Sequence, residues 1–138
     1  MRLASACLAL IGLASAAWPL TPLLYPEITL IGGEAQTLAD TDVTLRLDRV
    51  DDGRCPAGAD CLWEGTIRVE ISVITAAPEQ QQIVLCNLCD DASSLATAGG
   101  MTFGLVALSP STDDLAQLGR PPELGDYRLT LNYAPALP

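Results

Sequence analysis

Apolar and polar side chains alternate with a period of two along several stretches of this chain, and this feature constrains its fold more than any other. Three stretches show the alternation clearly and three show it weakly: 41–50, 66–74 and 127–133, and 27–31, 82–85 and 101–108. Period two predicts β-strands, and strands that are apolar on one face predict antiparallel sheets that cover a core. Six or seven such strands predict an all-β fold, a single antiparallel β-sandwich domain of immunoglobulin-like, Greek-key type.

Turn and helix signals fall between these stretches. Gly-Gly pairs and the run at 51–53 mark turns, and a proline-rich loop extends from 109 to 125. Only two segments, 91–97 and 112–118, predict as much as a turn or two of helix. The helices therefore contribute little to the predicted fold.

The beginning of the chain predicts its compartment. Arg2 supplies a positive charge, residues 3–13 form an apolar run, and the small residues at 14–17 resemble an A-x-A cleavage site. These are the three regions of a secretory signal peptide. We therefore predict a signal peptide at 1–17, a domain at 18–138 and a periplasmic or secreted location.

A retained membrane anchor is the alternative interpretation of this segment. Pro19 and Pro22 interrupt its apolar character, and a bilayer span needs about 20 predominantly apolar residues. Cys7 lies in the middle of the apolar run, whereas a lipoprotein cysteine follows such a run. We expect cleavage near residues 16–17, loss of Cys7 and no membrane span in the mature chain.

The charge balance excludes several classes of partner. The chain has no Lys and seven Arg against seventeen Asp and Glu, a formal net charge of −10. Nucleic acids and anionic lipids are bound by basic patches, so neither is an expected partner of this acidic chain. The expected partner is an unidentified protein or envelope component.

Catalytic and metal-binding patterns are weak. The chain has no His, which is the most common general base and metal ligand. Three aspartate pairs, 40/42, 51/52 and 113/114, lie in predicted turns, where Asp is favoured because it accepts backbone hydrogen bonds. None matches the spacing of an EF-hand calcium loop. We therefore predict a protein that is not an enzyme and has no bound metal or cofactor.

Four cysteines follow the signal segment: Cys55, Cys61, Cys86 and Cys89. An even number of cysteines in an exported protein predicts disulfide bonds. The sequence alone does not distinguish the three possible pairings, of which Cys55 with Cys61 and Cys86 with Cys89 is the simplest. Closing the loop between Cys55 and Cys61 would stabilise the fold by about 2–3 kcal/mol.

Two other roles for the cysteines stay open. Four thiolates are the right number of ligands for a tetrahedral zinc site, although only the second pair has finger-like spacing. Cys86 and Cys89 also form a C-x-x-C pair like that of thiol-redox proteins. A reactive thiol needs a helix N-terminus or a positive neighbour, whereas Asp90 and Asp91 follow directly.

Residues 54–65, RCPAGADCLWEG, hold the first cysteine pair and the most distinctive motif. We interpret the two cysteines as a disulfide that pins the loop between two strands, and Trp63 as a bulky side chain that packs beside it. Gly65 would lead the backbone into the next strand. Arg54 and Glu64 are then the residues left as candidate surface contacts.

The segment 50–65 resembles a motif of small exported bacterial proteins and lipoproteins, in which a D-S-R-C-P turn is followed by x-G-x-x-C-[IL]-W-x-G. The chain departs from that motif in having Gly53 where Ser is usual, and the family is not associated with the pair Cys86 and Cys89. The segment Leu108-Ser109-Pro110 and the closing strand from Tyr127 are also similar to that family. The resemblance implies a fold and a compartment but no reaction.

These observations predict a non-catalytic secreted or periplasmic protein that serves as a binding or accessory module of the envelope. Sheet faces and long loops, such as 109–125, would form its contact surfaces, because loops on a rigid scaffold carry most recognition. The alternative function is a periplasmic protein that handles metals or thiol redox through Cys86 and Cys89.

Overall fold

The computed structural model describes residues 25–138. It contains eight strands, namely β1 (Glu27–Ile31), β2 (Ala35–Thr37), β3 (Thr44–Asp52), β4 (Ile67–Ile74), β5 (Gln81–Asn87), β6 (Leu95–Ala98), β7 (Met101–Ser109) and β8 (Arg128–Pro135). A short helix, α1 (Thr112–Ala116), and one turn of 3-10 helix (Leu124–Asp126) lie between β7 and β8. The predicted signal peptide, its cleavage site and Cys7 lie outside the described residues.

Two four-stranded antiparallel sheets form a β-sandwich, which confirms the predicted all-β class. One sheet has the order β1-β8-β7-β6 and the other has the order β2-β3-β4-β5. Every strand pair in both sheets is antiparallel. The strand order differs from the immunoglobulin-like, Greek-key connectivity that we expected. Strands that follow one another in sequence lie side by side within a sheet, and β1 then pairs with β8, as in an up-and-down barrel.

The six predicted strands are all present, but two short ones have no sequence signal. β2 has three residues, all of them exposed, so it carries no apolar alternation. β6 occupies part of the segment 91–97, for which a turn or two of helix was predicted, and that prediction was wrong. The helix predicted within 112–118 is present as α1. Between residues 25 and 138, no helix has the length and apolar character that crossing a bilayer requires.

The core lies between the sheets and consists of the inward-facing apolar residues of the strands. Leu45, Val69, Phe103 and Leu129 are fully buried, and all four belong to one continuous apolar cluster. Burial of a large apolar side chain stabilises a fold by about 1.5–3 kcal/mol. The alternation identified in the sequence therefore supplies the main stabilising surface of the sandwich.

A β-bulge in β3 changes which residues face this core. The pairing of β3 with β4 shifts between Leu47 and Arg49, so that Asp48 is an extra residue. Leu47 is buried on one side of the bulge, whereas Val50 and Asp52 are the more enclosed residues beyond it. A bulge re-aims the side chains that follow it. Here it turns Asp52 toward the interior at the end of the strand.

The two ends of the sandwich carry different parts of the chain. β3, β5 and β7 all finish at one end, which we call the motif end. It carries the motif loop, residues 53–66, and the second cysteine loop, residues 88–94. The connection 110–127 lies at the same end. Residues 25–26 and 136–138 lie at the opposite end, where the backbone N–H of Tyr133 donates to the Pro26 carbonyl.

Candidate functional site

Backbone pairing between its two ends shapes the motif loop. The N–H of Gly53 donates to the carbonyl of Thr66 at 2.8 Å, and the N–H of Cys55 donates to the carbonyl of Glu64 at 3.2 Å. Gly65 has a φ of +84°, in a region that side chains rarely adopt. The β3–β4 ladder thus continues into the loop, and Gly65 leads the backbone into β4 as predicted.

The first cysteine pair closes the outer part of the loop. Cys55 and Cys61 lie at disulfide distance, with Cα atoms 5.9 Å apart. Between them, the N–H of Ala59 donates to the Pro56 carbonyl, and Gly58 has a φ of +76°. A five-residue tight turn between two bridged cysteines has few conformations available. The position of the backbone at Cys61, from which Leu62 and Trp63 follow, is therefore well defined.

Arg54 joins the motif loop to the opposite sheet. Its Nε and Nη2 donate to the two carboxylate oxygens of Asp52 at 2.7 and 2.6 Å. Its Nη1 donates to the Leu108 carbonyl at 3.0 Å, and its Nη2 also donates to the Pro110 carbonyl at 2.9 Å. Bidentate pairing of this kind fixes geometry as well as adding energy. Arg54 thus holds the base of the loop against the end of β7.

This corrects the interpretation of Arg54 as a surface contact. Its side chain is only 17% exposed and that of Asp52 only 9%, because the bulge in β3 brings Asp52 inward and Arg54 folds over it. Asp51 and Asp52 also end a strand instead of forming the predicted turn. Glu64, the other candidate contact, is exposed at the outer part of the loop.

The charges in this cluster shift one another's pKa values. Burial raises the pKa of the Asp52 carboxyl, but the hydrogen bonds and charge of Arg54 outweigh burial and bring that pKa below its ordinary value. The hydrogen bond to Asp52 raises the pKa of the Arg54 guanidinium. Burial raises the pKa of the nearby Tyr127 phenol, and the charge of Asp52 adds to the effect. Asp52 and Arg54 therefore form an ion pair at neutral pH.

The lowered carboxylate pKa values predict acid sensitivity. In the 110–127 connection, hydrogen bonds from Arg120 and from the Glu123 N–H lower the pKa of Asp126 to about 2. Because the folded pKa of Asp52 and of Asp126 lies below the unfolded one, the unfolded chain takes up protons first as the pH falls. The stability that these two carboxylates contribute is therefore fully present above about pH 4.5 and is lost toward about pH 2. Urea unfolding at pH 7, 4 and 2.5 measures this loss, and Asp126→Asn is expected to reduce it. A flat profile would contradict the prediction.

The apolar tip of the motif loop, Leu62 and Trp63, faces solvent. The exposed fractions of the two residues are 95% and 73%. The interpretation of Trp63 as a side chain packed beside the disulfide was therefore wrong. The backbone leaves the bridge at Cys61, passes through the positive-φ Gly65 and enters β4 at Ile67, which leaves these two side chains outside the sandwich. A shallow depression beside them is lined by motif-loop residues alone.

The second cysteine loop presents one apolar side chain in a similar way. Cys86 and Cys89 lie at disulfide distance, with Cα atoms 5.8 Å apart. Leu88 lies between them with a φ of +57° and is 73% exposed. Arg68 of β4 holds this loop through a bidentate pair with Asp91 at 2.9 and 3.0 Å. Asn87 also connects the second cysteine loop to β4, because its side chain accepts a hydrogen bond from the Ile67 N–H.

The geometry does not gather the four cysteines into one centre. They form two separate local pairs, and within the described range no three His, Cys, Asp or Glu side chains lie close enough to hold a metal ion. Cys86 is almost fully buried at the end of a strand and does not lie at a helix N-terminus. A helix N-terminus is one of the features that lower a thiol pKa. This placement favours a structural role for Cys86 and Cys89 over thiol chemistry.

Sequence reasoning missed Leu62 and Leu88 as surface residues, although both carried a signal. Leu88 lies inside a four-residue disulfide ring, which is too small for its side chain to reach the core. Leu62 lies between a bridged cysteine and a glycine that comes two residues before the next strand.

Comparison of the chain with protein-family models, with curated proteins and with solved structures gave no match.

Proposed function

We propose that this protein is a non-catalytic, exported binding module of the periplasm or extracellular space, and that the motif end is its contact surface. The single observation that carries the proposal is the exposure of Leu62 and Trp63 on a loop that the Cys55–Cys61 pair and Arg54 hold in place. A tryptophan needed only for stability would be expected in the core, whereas exposed apolar clusters mark interaction sites.

The way the loop is held supports this role. Three features restrict the motif loop before any partner binds: the Cys55–Cys61 bridge, the positive φ of Gly65 and the hydrogen bonds of Arg54. A surface that is already ordered loses less conformational entropy on binding. Tryptophan is also the residue type most enriched among those that dominate binding energy. Export is supported by the signal-peptide pattern, by the cysteine pairs and by the resemblance to small exported bacterial proteins.

Photocrosslinking tests the proposal with a matched control. A photoreactive amino acid replaces Leu62 in one variant and Leu137 in another, since the two leucines are 95% and 93% exposed at opposite ends of the domain. In cells that produce the protein, we expect a discrete adduct from position 62 and none from position 137. Equal labelling from both positions would count against the motif end as the contact surface.

Trp63→Ala separates binding from folding. Because Trp63 is 73% exposed, its loss is expected to change the free energy of unfolding by no more than about 0.5 kcal/mol. The same substitution is expected to remove the adduct formed at position 62. Thermal unfolding and the crosslinking yield measure the two effects. A clear fall in melting temperature would instead give Trp63 a structural role.

A further inference from the structure

Each of the two disulfide-held loops at the motif end carries exposed apolar side chains. Trp63 and Leu62 follow the Cys55–Cys61 bridge, and Leu88 lies within the Cys86–Cys89 bridge. The loops are neighbours, because β4 begins at Ile67 and pairs there with Asn87, the residue before Leu88. Adjacent strands lie about 4.8 Å apart. The two loops therefore leave adjacent strands at the same end of the same sheet.

The uncompensated charge around these side chains is negative. Asp60, Glu64 and Asp90 are exposed, and none of them forms an ion pair with another residue of the 25–138 range. The arginines of this end already have partners within the chain, Arg54 with Asp52 and Arg68 with Asp91.

Three of the other described arginines are also paired with carboxylates, and the fourth lies in the other sheet. Arg120 pairs with Asp126. Arg128 has no carboxylate partner among the described ion pairs and donates to the backbone carbonyls of Gly125 and Tyr127, but it lies on β8, in the sheet opposite to β4 and β5. Arg46 and Arg49 pair with Asp48 and Asp51 along β3. The motif end therefore offers an apolar centre with an acidic border.

We infer that the motif loop and the second cysteine loop form one docking surface for a protein partner that has an apolar pocket bordered by Lys or Arg. The inference rests on the proposed function and names the chemistry of its partner. Complementary charges at the border of an interface raise the association rate and exclude partners of the same sign. The net charge of −10 opposes binding to an anionic membrane, so a protein fits this surface better than a lipid bilayer.

The test selects peptides from a displayed random library on the oxidised full-length protein, with counter-selection on Trp63→Ala. We expect the selected peptides to combine Lys or Arg with apolar residues. For a selected peptide, Trp63→Ala is expected to weaken affinity about tenfold or more, and Leu88→Ala several-fold. Leu137→Ala, at the opposite end, is expected to leave the affinity unchanged.

The charge contribution has its own matched pair of variants. Asp60→Asn with Glu64→Gln is expected to weaken binding several-fold and to flatten its salt dependence between 50 and 300 mM, because charge pairs at an interface border are screened by salt. Asp42→Asn with Glu79→Gln removes two exposed charges at the opposite end and is expected to change neither quantity.

The outcomes distinguish this inference from the proposed function. Binding that needs Trp63 but not the acidic pair overturns the basic border while the proposed function stands. An unchanged affinity in Leu88→Ala overturns the two-loop surface. Trp63-dependent sedimentation with phosphatidylcholine vesicles, alone or with phosphatidylglycerol, overturns the protein partner. A selection that yields no Trp63-dependent peptide counts against both the inference and the proposed function.

Discussion

Arg54→Ala is expected to lower the free energy of unfolding by about 3 kcal/mol, because it removes one partner of a largely buried ion pair. Asp52 would keep its charge at neutral pH with its side chain only 9% exposed. The carbonyls of Leu108 and Pro110 would also lose a charged donor. A loss of that size corresponds to a melting temperature about 10 °C lower for a domain of this length. Urea and thermal unfolding measure it.

Two further substitutions show whether the geometry or only the charge is responsible. Arg49→Ala removes the same side chain from an exposed position, where Arg49 is 60% exposed and pairs with Asp51. Its expected cost is below about 1 kcal/mol. Arg54→Lys keeps the positive charge but loses the planar guanidinium that pairs with Asp52 through two hydrogen bonds. Its free energy of unfolding is expected to lie between those of the two alanine variants. If Arg49→Ala and Arg54→Ala lower the free energy of unfolding equally, the hydrogen bonds by which Arg54 joins the two sheets do not stabilise the fold as we expect.

Gly65→Ala is expected to cost about 4 kcal/mol, because strain and overpacking act together there. Its φ of +84° disfavours any side chain. A Cβ at this position would also lie 2.0 Å from the Gly53 carbonyl oxygen and 2.9 Å from the Arg54 Cα, so the base of the loop would have to open. Thermal unfolding measures the cost, and the crosslinking yield at position 62 reports whether the tip of the loop has moved.

Gly58→Ala is the control for the backbone conformation alone. Gly58 has a similar φ of +76°, but a Cβ there would meet no atom within 4 Å. Its expected cost is about 1 kcal/mol, which is the penalty of the left-handed conformation for an L-residue. If the two alanine variants lose the same stability, contact with the Gly53 backbone is not what requires glycine at position 65.

The alternation of side chains was sufficient to predict the sandwich, because burial of one face decides where a strand can lie. It was insufficient for the order of the strands, since period two is the same in an up-and-down arrangement and in a Greek key. β2 and β6 were missed because short edge strands with exposed residues gain little from burial. The bulge in β3 was visible in the sequence as Val50, an apolar residue out of phase with Leu45 and Leu47.

The loop that forms the candidate site was predictable from the sequence, but the exposed residues Leu62 and Leu88 and the roles of Arg54 and Trp63 were not. The motif identified the loop, and the even number of cysteines indicated disulfide bonds. Arg54, however, was predicted to be exposed and is largely buried, whereas Trp63 was predicted to be packed and is exposed. A charged residue is expected at the surface and a large aromatic one in the core. Both expectations fail here because the bulge places Asp52 in the interior, where it needs a cation. Trp63 meanwhile lies at the outer part of the loop, between Cys61 and Gly65, and is 73% exposed.

The pairing of β1 with β8 has a consequence for how the domain can be rearranged. The sequential strand order closes on itself, and the backbone of Pro26 lies within hydrogen-bonding distance of Tyr133. A short linker could therefore join the two ends of the described chain, and new termini could be opened in the exposed loop between β4 and β5, at residues 76–80. Such a circular permutant would keep every strand neighbour and both cysteine pairs. It would also leave the motif end free, because the cut and the join both lie at the far side of the sandwich.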